Sequence, residues 1–120
     1  MLQRQPWGAK RRASFNSERS FQEQVETLAA HLGWYVWHVN NPMRSKAGFP
    51  DLILIRERVI WAELKARSRL TNRMGKLMPE QIMWRDMLQA ADQEWYLWTD
   101  EDMDAIGQVL ARPGQTVRIV

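Results

Sequence analysis

The sequence predicts an α/β domain with a central mixed β-sheet flanked by helices, in the element order α-β-β-β-α-β-α. Apolar residues recur at helical spacing in segments near residues 25 and 85, whereas alternating or continuous apolar runs lie between these segments. The 120 residues are 45% apolar, which suits one domain with its own core. The chain has no cysteine, so disulfide and cysteine–zinc architectures are excluded.

Residues 1–13 are predicted to form a flexible basic arm, and residues 14–120 a single domain. The arm lacks apolar periodicity and is rich in cations, namely Arg4, Lys10, Arg11 and Arg12. No apolar run approaches the roughly 18 residues of a membrane span, and the N-terminus lacks the apolar core of a signal peptide. We therefore expect a soluble, cytoplasmic protein with no membrane partner.

The helices are predicted from apolar periodicity and from their capping residues. The first covers residues 17–32, and the last covers residues 101–110 with Asp100 as its cap. The middle helix covers residues 79–91, because a proline suits its first turn. Four of its side chains are expected to face the core: Ile82, Met83, Met87 and Leu88.

Strands are predicted at 34–39, 51–56, 59–65 and 94–98, with a possible terminal strand at 116–120. The second and third strands form a hairpin around a charged turn, Arg56-Glu57-Arg58. Both faces of this hairpin are apolar, so we expect it to be central in the sheet and covered by helices on both sides. Core packing is the expected role of most tryptophans, namely Trp34, Trp37, Trp61, Trp84, Trp95 and Trp98.

The hairpin also contains three ionisable residues, Asp51, Glu63 and Lys65, among apolar neighbours. Burying a charge costs several kcal/mol unless it is paired or binds a metal, and a structural ion-pair cluster is the simplest explanation. Glu63 and Lys65 are two apart, so they share one face of a strand. A three-residue turn would place Asp51 opposite Glu63, whereas a two-residue turn would put them on opposite faces.

Adjacent carboxylates repel each other, so a pair of them is most stable with a cation between. Oxygen ligands favour Mg²⁺ or Mn²⁺, held by Asp51 and Glu63, with the carbonyl of Leu64 as a further candidate ligand. Such an ion can bind a phosphate oxygen and lower the pKa of a bound water, as phosphodiester hydrolysis requires. Lys65 could orient or deprotonate that water, or neutralise charge on the phosphate.

The charge distribution favours a nucleic-acid partner. The chain has 17 Lys+Arg against 14 Asp+Glu, and its basic residues are grouped into blocks, which suits a polyanion. Solvated loops are the alternative explanation. The candidates for phosphate contact are Arg44 and Lys46 before the hairpin and, directly after Lys65, Arg67, Arg69, Arg73 and Lys76. No base-reading module is present, so recognition of DNA shape is expected.

Five motifs occur together in this order: Ser17-Glu18-x-x-x-Gln22, Gly33-Trp34, Gly48-Phe49-Pro50-Asp51, Trp61-Ala62-Glu63-Leu64-Lys65 and Pro79-Glu80-Gln81-x-x-Trp84. Together they resemble the VRR-NUC branch of the PD-(D/E)XK nuclease superfamily, from residue 17 to about residue 110. The resemblance implies a restriction-endonuclease-like core and a Mg²⁺- or Mn²⁺-dependent DNA endonuclease. It also implies selectivity for branched, flapped or nicked DNA and, by analogy with junction resolvases, a homodimer.

The resemblance also implies roles for individual residues. Asp51 and Glu63 would be metal ligands, and Lys65 the catalytic lysine. Gln81 is expected to approach that lysine or the scissile phosphate, although an exposed glutamine at a helix start is the alternative. In the first helix, Glu18 matches the family's acid, with Glu23 and Glu26 as rivals, and Gln22 matches the polar residue that follows. Met78 stands where the family often has a hydroxyl residue, so a side-chain helix cap is missing.

Other interpretations remain open. A nucleic-acid-binding accessory protein could keep this fold without turnover, although the intact Asp51, Glu63 and Lys65 argue against it. An unrelated α/β interaction domain with a buried salt-bridge cluster is the third interpretation. His31 and His38 lack the spacing of an HNH nuclease site, so surface or packing roles are expected for them.

Overall fold

The computed structural model describes residues 17–39, 47–66 and 76–114, and for Ser17 and Glu18 it describes only the backbone. The elements follow in the order α1 (Ser17–His31), β1 (Tyr35–His38), β2 (Leu52–Ile55), β3 (Val59–Lys65), α2 (Pro79–Ala90), β4 (Glu94–Thr99) and α3 (Met103–Ala111). The predicted basic arm and the possible terminal strand lie outside the described residues.

The strands form one mixed sheet in the order β1-β2-β3-β4. β1 pairs with β2 and β2 with β3 in antiparallel orientation, whereas β3 and β4 are parallel. Parallel neighbours require a crossover connection, and α2 lies in the one between β3 and β4. The predicted α/β class and the mixed sheet are therefore confirmed, and the hairpin strands are the two central strands.

The turn of the hairpin contains three residues, because Ile55 pairs with Val59 and Ile53 with Trp61. The backbone N–H of Arg56 donates to the carbonyl of Arg58 across this turn at 3.0 Å. Of the two registers that the sequence left open, the structure has the one that continues to Asp51 opposite Glu63.

Among the described residues, the hydrophobic core cluster lies on one face of the sheet. Its sheet residues include Leu54 and Ile60, and the helices that cover them are α1 and α3. α1 contributes Phe21, Val25 and Ala29, and α3 contributes Ile106 and Leu110. Each of these side chains is removed from water, and burial of this kind stabilises by about 1.5–3 kcal/mol per large aliphatic or aromatic side chain.

The opposite face, here called the open face, is only partly covered, so the prediction of cover on both sides was wrong. By the strand register it carries Tyr35, Trp37, Ile53, Ile55, Trp61, Glu63, Lys65, Trp95 and Leu97. Trp37 is 56% exposed, so the prediction that it packs in the core was also wrong. The reason is that α2, unlike α1 and α3, buries none of its side chains.

α2 differs from its prediction in the same way. Ile82, Met83 and Met87 are exposed instead of facing a core. α2 approaches the open face through polar and aromatic contacts made by Gln81 and Trp84. A helical apolar stripe shows that a face is suited to burial, but another element must supply the surface that covers it.

The last helix begins later than predicted, at Met103, and Asp100 does not cap it. Asp102 precedes the helix, and its Oδ2 accepts hydrogen bonds from the N–H and the hydroxyl of Thr99, both at 2.9 Å. These bonds give the polar groups of Thr99 a partner where the chain leaves β4, and the residues between Thr99 and Asp102 form a turn.

Candidate functional site

Asp51 and Glu63 lie together at the end of the sheet where β2 begins and β3 ends. The register that pairs Leu52 with Ala62 places these two residues opposite each other at the next position. Their side chains are within hydrogen-bonding reach of each other. Asp51 is half-buried and Glu63 only 3% exposed, so two carboxyl groups share a largely water-excluded place.

The carboxyl group of Asp51 is oriented by the backbone of β3. Its Oδ2 accepts a hydrogen bond from the backbone N–H of Leu64 at 2.8 Å. Burial raises the pKa of Asp51 above its usual value, and this bond, the bond with Glu63 and the positive charge of Lys65 offset the rise only in part. The described surroundings therefore stabilise the ionised form of Asp51 less than water does, and a cation bound beside it would lower that pKa.

Glu63 is held from the other side by the start of α2. Gln81 Nε2 donates a hydrogen bond to Glu63 Oε2 at 2.6 Å. The same side chain accepts the backbone N–H of Met78 through Oε1 at 2.7 Å, so it also satisfies a backbone group at the helix start. Gln81 is thus half-buried at the site and contacts the Glu63 carboxylate, and its approach to Lys65 or the scissile phosphate stays a prediction.

Gly48 allows α2 to approach this closely. Its φ is +85°, and a Cβ atom there would overlap the carbonyl carbon of Glu80 and lie 2.7 Å from the backbone N of Gln81. Only glycine adopts this conformation readily and leaves that space empty. Gly48 belongs to one of the sequence motifs, but its contact with α2 was not predicted. The co-occurrence of the motifs around residues 48 and 81 was the available signal.

Aromatic contacts reinforce the same junction. The ring of Phe49 lies edge-on to Trp84 of α2 at 5.0 Å and to Trp61 of β3 at 6.1 Å between centroids. Trp84 Nε1 donates to the carbonyl of Ala47 at 3.0 Å. The segment that leads into Asp51 is therefore attached to both α2 and β3, which makes the positions of Asp51, Glu63 and Gln81 interdependent.

Lys65 and Leu64 complete the candidate site from β3. Lys65 is half-buried on the same face as Glu63, and its charge acts on Asp51. The side chain of Leu64 points into the core, but its backbone faces Asp51. Because the N–H and C=O of one strand residue point to the same side of the strand, the Leu64 carbonyl is also on the Asp51 side.

The α1 candidates form a separate group on the core side of the sheet. Gln22 Nε2 donates to Glu26 Oε2 at 2.8 Å, and that oxygen lies 3.1 Å from Nδ1 of His38. His38 pairs with Leu52, one residue from Asp51 along the strand. Glu18 lies in the first turn of α1, and its side chain is outside the described part. Of the α1 acids, Glu26 is therefore the one with a described contact to the sheet near Asp51.

The predicted phosphate contacts lie mostly outside the described residues, namely Arg44, Lys46, Arg67, Arg69 and Arg73. Lys76 is described and exposed, shortly before α2. These residues belong to two connections whose ends are described. The first runs from Val39 to Ala47, and the second from Ala66 to Lys76. Val39 and Ala66 both leave the sheet at the end where Asp51 and Glu63 lie.

The donor set fits Mg²⁺ or Mn²⁺. Within residues 17–39, 47–66 and 76–114 no group of three or more His, Asp or Glu residues is placed to hold a metal ion. Mg²⁺ typically uses only one or two carboxylates and completes its coordination with water and substrate phosphate. The Asp51–Glu63 pair meets that requirement.

No family model, curated protein or solved structure matched this chain when each of these was compared with it. No helix in the described part of the chain is long and apolar enough to cross a membrane.

Proposed function

We propose that this protein is a Mg²⁺- or Mn²⁺-dependent nuclease of the PD-(D/E)XK superfamily, related to the VRR-NUC branch, with a restriction-endonuclease-like core. Its substrate would be DNA, with preference for branched, flapped or nicked forms. The observation that carries the proposal is the paired carboxyl groups of Asp51 and Glu63, with Lys65 on the same face of β3. Two carboxylates can hold a divalent ion beside a phosphate, and such an ion supplies both the polarisation and the activated water that phosphodiester hydrolysis uses.

In this proposal, Asp51 and Glu63 would hold the ion, which would polarise the phosphate and lower the pKa of a bound water. The Leu64 N–H and the Gln81 amide orient the two carboxylates. Hydrogen-bond partners that orient metal ligands typically contribute about 10–100-fold to metal affinity or to activity. The ammonium group of Lys65 stabilises negative charge on the phosphate or positions the attacking water.

The charge of the chain supports a polyanionic substrate. The connection between Val39 and Ala47 contains Arg44 and Lys46, and the one after Ala66 contains Arg67, Arg69 and Arg73; neither connection contains an acid. A homodimer would allow both strands of a junction to be cut, as in the junction resolvases that the chain resembles.

The test is cleavage of labelled four-way junction, flap, nicked and linear DNA in Mg²⁺, Mn²⁺ or EDTA. Lys65→Ala is compared with Arg19→Ala, a matched control that removes one exposed cation from α1. We expect cutting only with a divalent ion, lost in Lys65→Ala and retained in Arg19→Ala. Binding without cutting in every metal would instead favour an accessory protein that keeps the fold.

A further inference from the structure

Two exposed aromatic side chains stand on the open face of the edge strand β1. Tyr35 is 61% exposed and Trp37 is 56% exposed. Their partners on the same face are Ile55 and Ile53 of β2, so neither ring is next to a charged residue across the strands. Large exposed aromatic residues side by side are unusual on a surface that contacts only water.

Trp37 adjoins the candidate site, and Tyr35 lies two residues further from it on the same strand. Trp37 pairs with Ile53, and Asp51 lies one step further along the same face. With strands about 4.8 Å apart and about 6.7 Å between alternate residues, the Cα atoms of Trp37 and Asp51 are about 8 Å apart. A nucleotide next to a phosphate held at Asp51 and Glu63 is therefore within reach of the Trp37 ring.

The chemistry of this surface suits unpaired bases. Aromatic rings on an open sheet bind single strands by stacking, and any base can stack because each has a π-face. Bases inside a duplex are already stacked on their neighbours and cannot use such rings. The side chains of Ile53 and Ile55 beside the rings are apolar and cannot bind a phosphate. The sugar-phosphate backbone of the DNA would therefore lie at the end of the sheet that holds Lys65.

A second copy of the chain is the competing occupant of this surface. A stable interface covers about 800 Å² on each partner. A patch of that size centred on Trp37 would also cover Asp51 about 8 Å away and so close the candidate site. If the site acts on DNA, the occupant of this part of the open face is therefore the substrate.

We propose that Tyr35 and Trp37 form a stacking platform for unpaired bases beside the scissile phosphate, so that the substrate has a single-stranded segment there. The proposal rests on the proposed function, and among the branched, flapped and nicked substrates it selects those with an unpaired segment, such as flaps, over fully paired ones.

The test measures binding in EDTA, where no metal-dependent cutting occurs. The probes are a fluorescein-labelled thymidine oligonucleotide and a duplex with the same number of phosphates. Trp37→Thr and Tyr35→Thr remove the rings but keep side chains that favour strands. Trp37→Phe keeps a ring, and Leu97→Thr is the matched control on the same face at β4.

We expect Trp37→Thr to weaken binding of the thymidine oligonucleotide about five- to hundredfold, as base stacking contributes per base. Binding of the duplex should change less than about twofold, and Trp37→Phe should retain most of the affinity. Equal losses for both probes, or no loss for either, would overturn the platform. Thermal unfolding and sedimentation of each variant exclude loss of fold and reveal a dimer that depends on Trp37, which would also overturn it.

The design separates this proposal from the proposed nuclease. Because binding is measured without metal, a chain that never cuts DNA can still show the ring-dependent difference between the probes. Conversely, a chain that cuts DNA but binds both probes equally in all variants would keep the nuclease and lose the platform.

Discussion

Gln81 Nε2 lies 2.6 Å from Glu63 Oε2, so the first turn of α2 is bonded to a carboxylate of a central strand. Glu63 is 3% exposed and could not stay ionised there without hydrogen-bond partners or a cation. The position of a helix that buries none of its own side chains is thus linked to the orientation of a candidate metal ligand.

Gln81→Ala should lower metal-dependent cleavage about 10–100-fold, because Glu63 loses the group that orients it. The matched control is Gln89→Ala, an exposed glutamine on the same helix, which should cut at the wild-type rate. The measurement is single-turnover cleavage over a range of Mg²⁺ concentrations. A Gln81→Ala variant that cuts as fast as Gln89→Ala at every concentration would contradict the role.

Asp51→Asn and Asp51→Ala should each lower cleavage by at least about 100-fold, because a metal ligand contributes several kcal/mol to the transition state. They should differ in stability. Asparagine keeps an oxygen that accepts the Leu64 N–H, whereas alanine leaves that N–H without this partner. The Asp51→Ala variant should therefore be about 1 kcal/mol less stable than Asp51→Asn. Single-turnover cleavage in Mg²⁺ checks the first point, and thermal unfolding without metal checks the second. With Mn²⁺ added, wild type should gain stability, and neither variant should.

The pH dependence of stability in EDTA should reflect the raised pKa of Asp51. Its folded pKa is above the ordinary 3.8, because burial outweighs the favourable contacts. The stability that this group contributes is fully present below its unfolded pKa and is lost as pH rises through its folded pKa. Relative to wild type, Asp51→Asn should therefore gain stability between acid and neutral pH, as measured by urea unfolding. A constant difference between the two proteins across that range would contradict the assignment.

Three glycines form a graded test of the junction between the Asp51 segment and α2. Gly48→Ala combines a left-handed φ with a clash against the Glu80–Gln81 peptide, and should cost about 2–5 kcal/mol. Gly33 also has a positive φ, +92°, but a Cβ atom there would make only an ordinary contact, 3.7 Å from Cδ of Arg56. Gly33→Ala should therefore cost only the conformational penalty of about 1–2 kcal/mol. Gly107→Ala lies in α3 with room for a methyl group and should stabilise by about 0.5–1 kcal/mol.

Urea unfolding of the three variants gives their order of stability. An additional loss of cleavage in Gly48→Ala, beyond what its unfolding explains, is expected because Gln81 would move away from Glu63. Equal stability of Gly48→Ala and Gly33→Ala would mean that the peptide does not pack on Gly48.

The register of the hairpin shows how far sequence reasoning reached. The charged turn lacks the Asn-Gly or Asp-Gly pair that would specify a two-residue connection, so both registers were open. The turn is held by distant groups, because Arg56 Nη1 donates to the carbonyls of Leu32 at 3.0 Å and Leu110 at 2.9 Å. The guanidinium also lies over the Trp34 ring, 4.5 Å from its centroid. Local sequence carries no information about such partners.

The sequence by itself determined the α/β class, the helices and strands, and the presence of ionisable residues in an apolar hairpin, because these follow from the period of the side chains along the chain. Tertiary structure decided that Asp51 and Glu63 meet, that Gln81 bonds to Glu63, and that Trp37 stays exposed. An apolar period indicates that a face can be buried, but only the arrangement of the other elements decides what lies against it. Here α1 and α3 both cover the same side of the sheet, whereas α2 contacts the other side only through side chains such as Gln81 and Trp84 in the described part, and Trp37 stays exposed there.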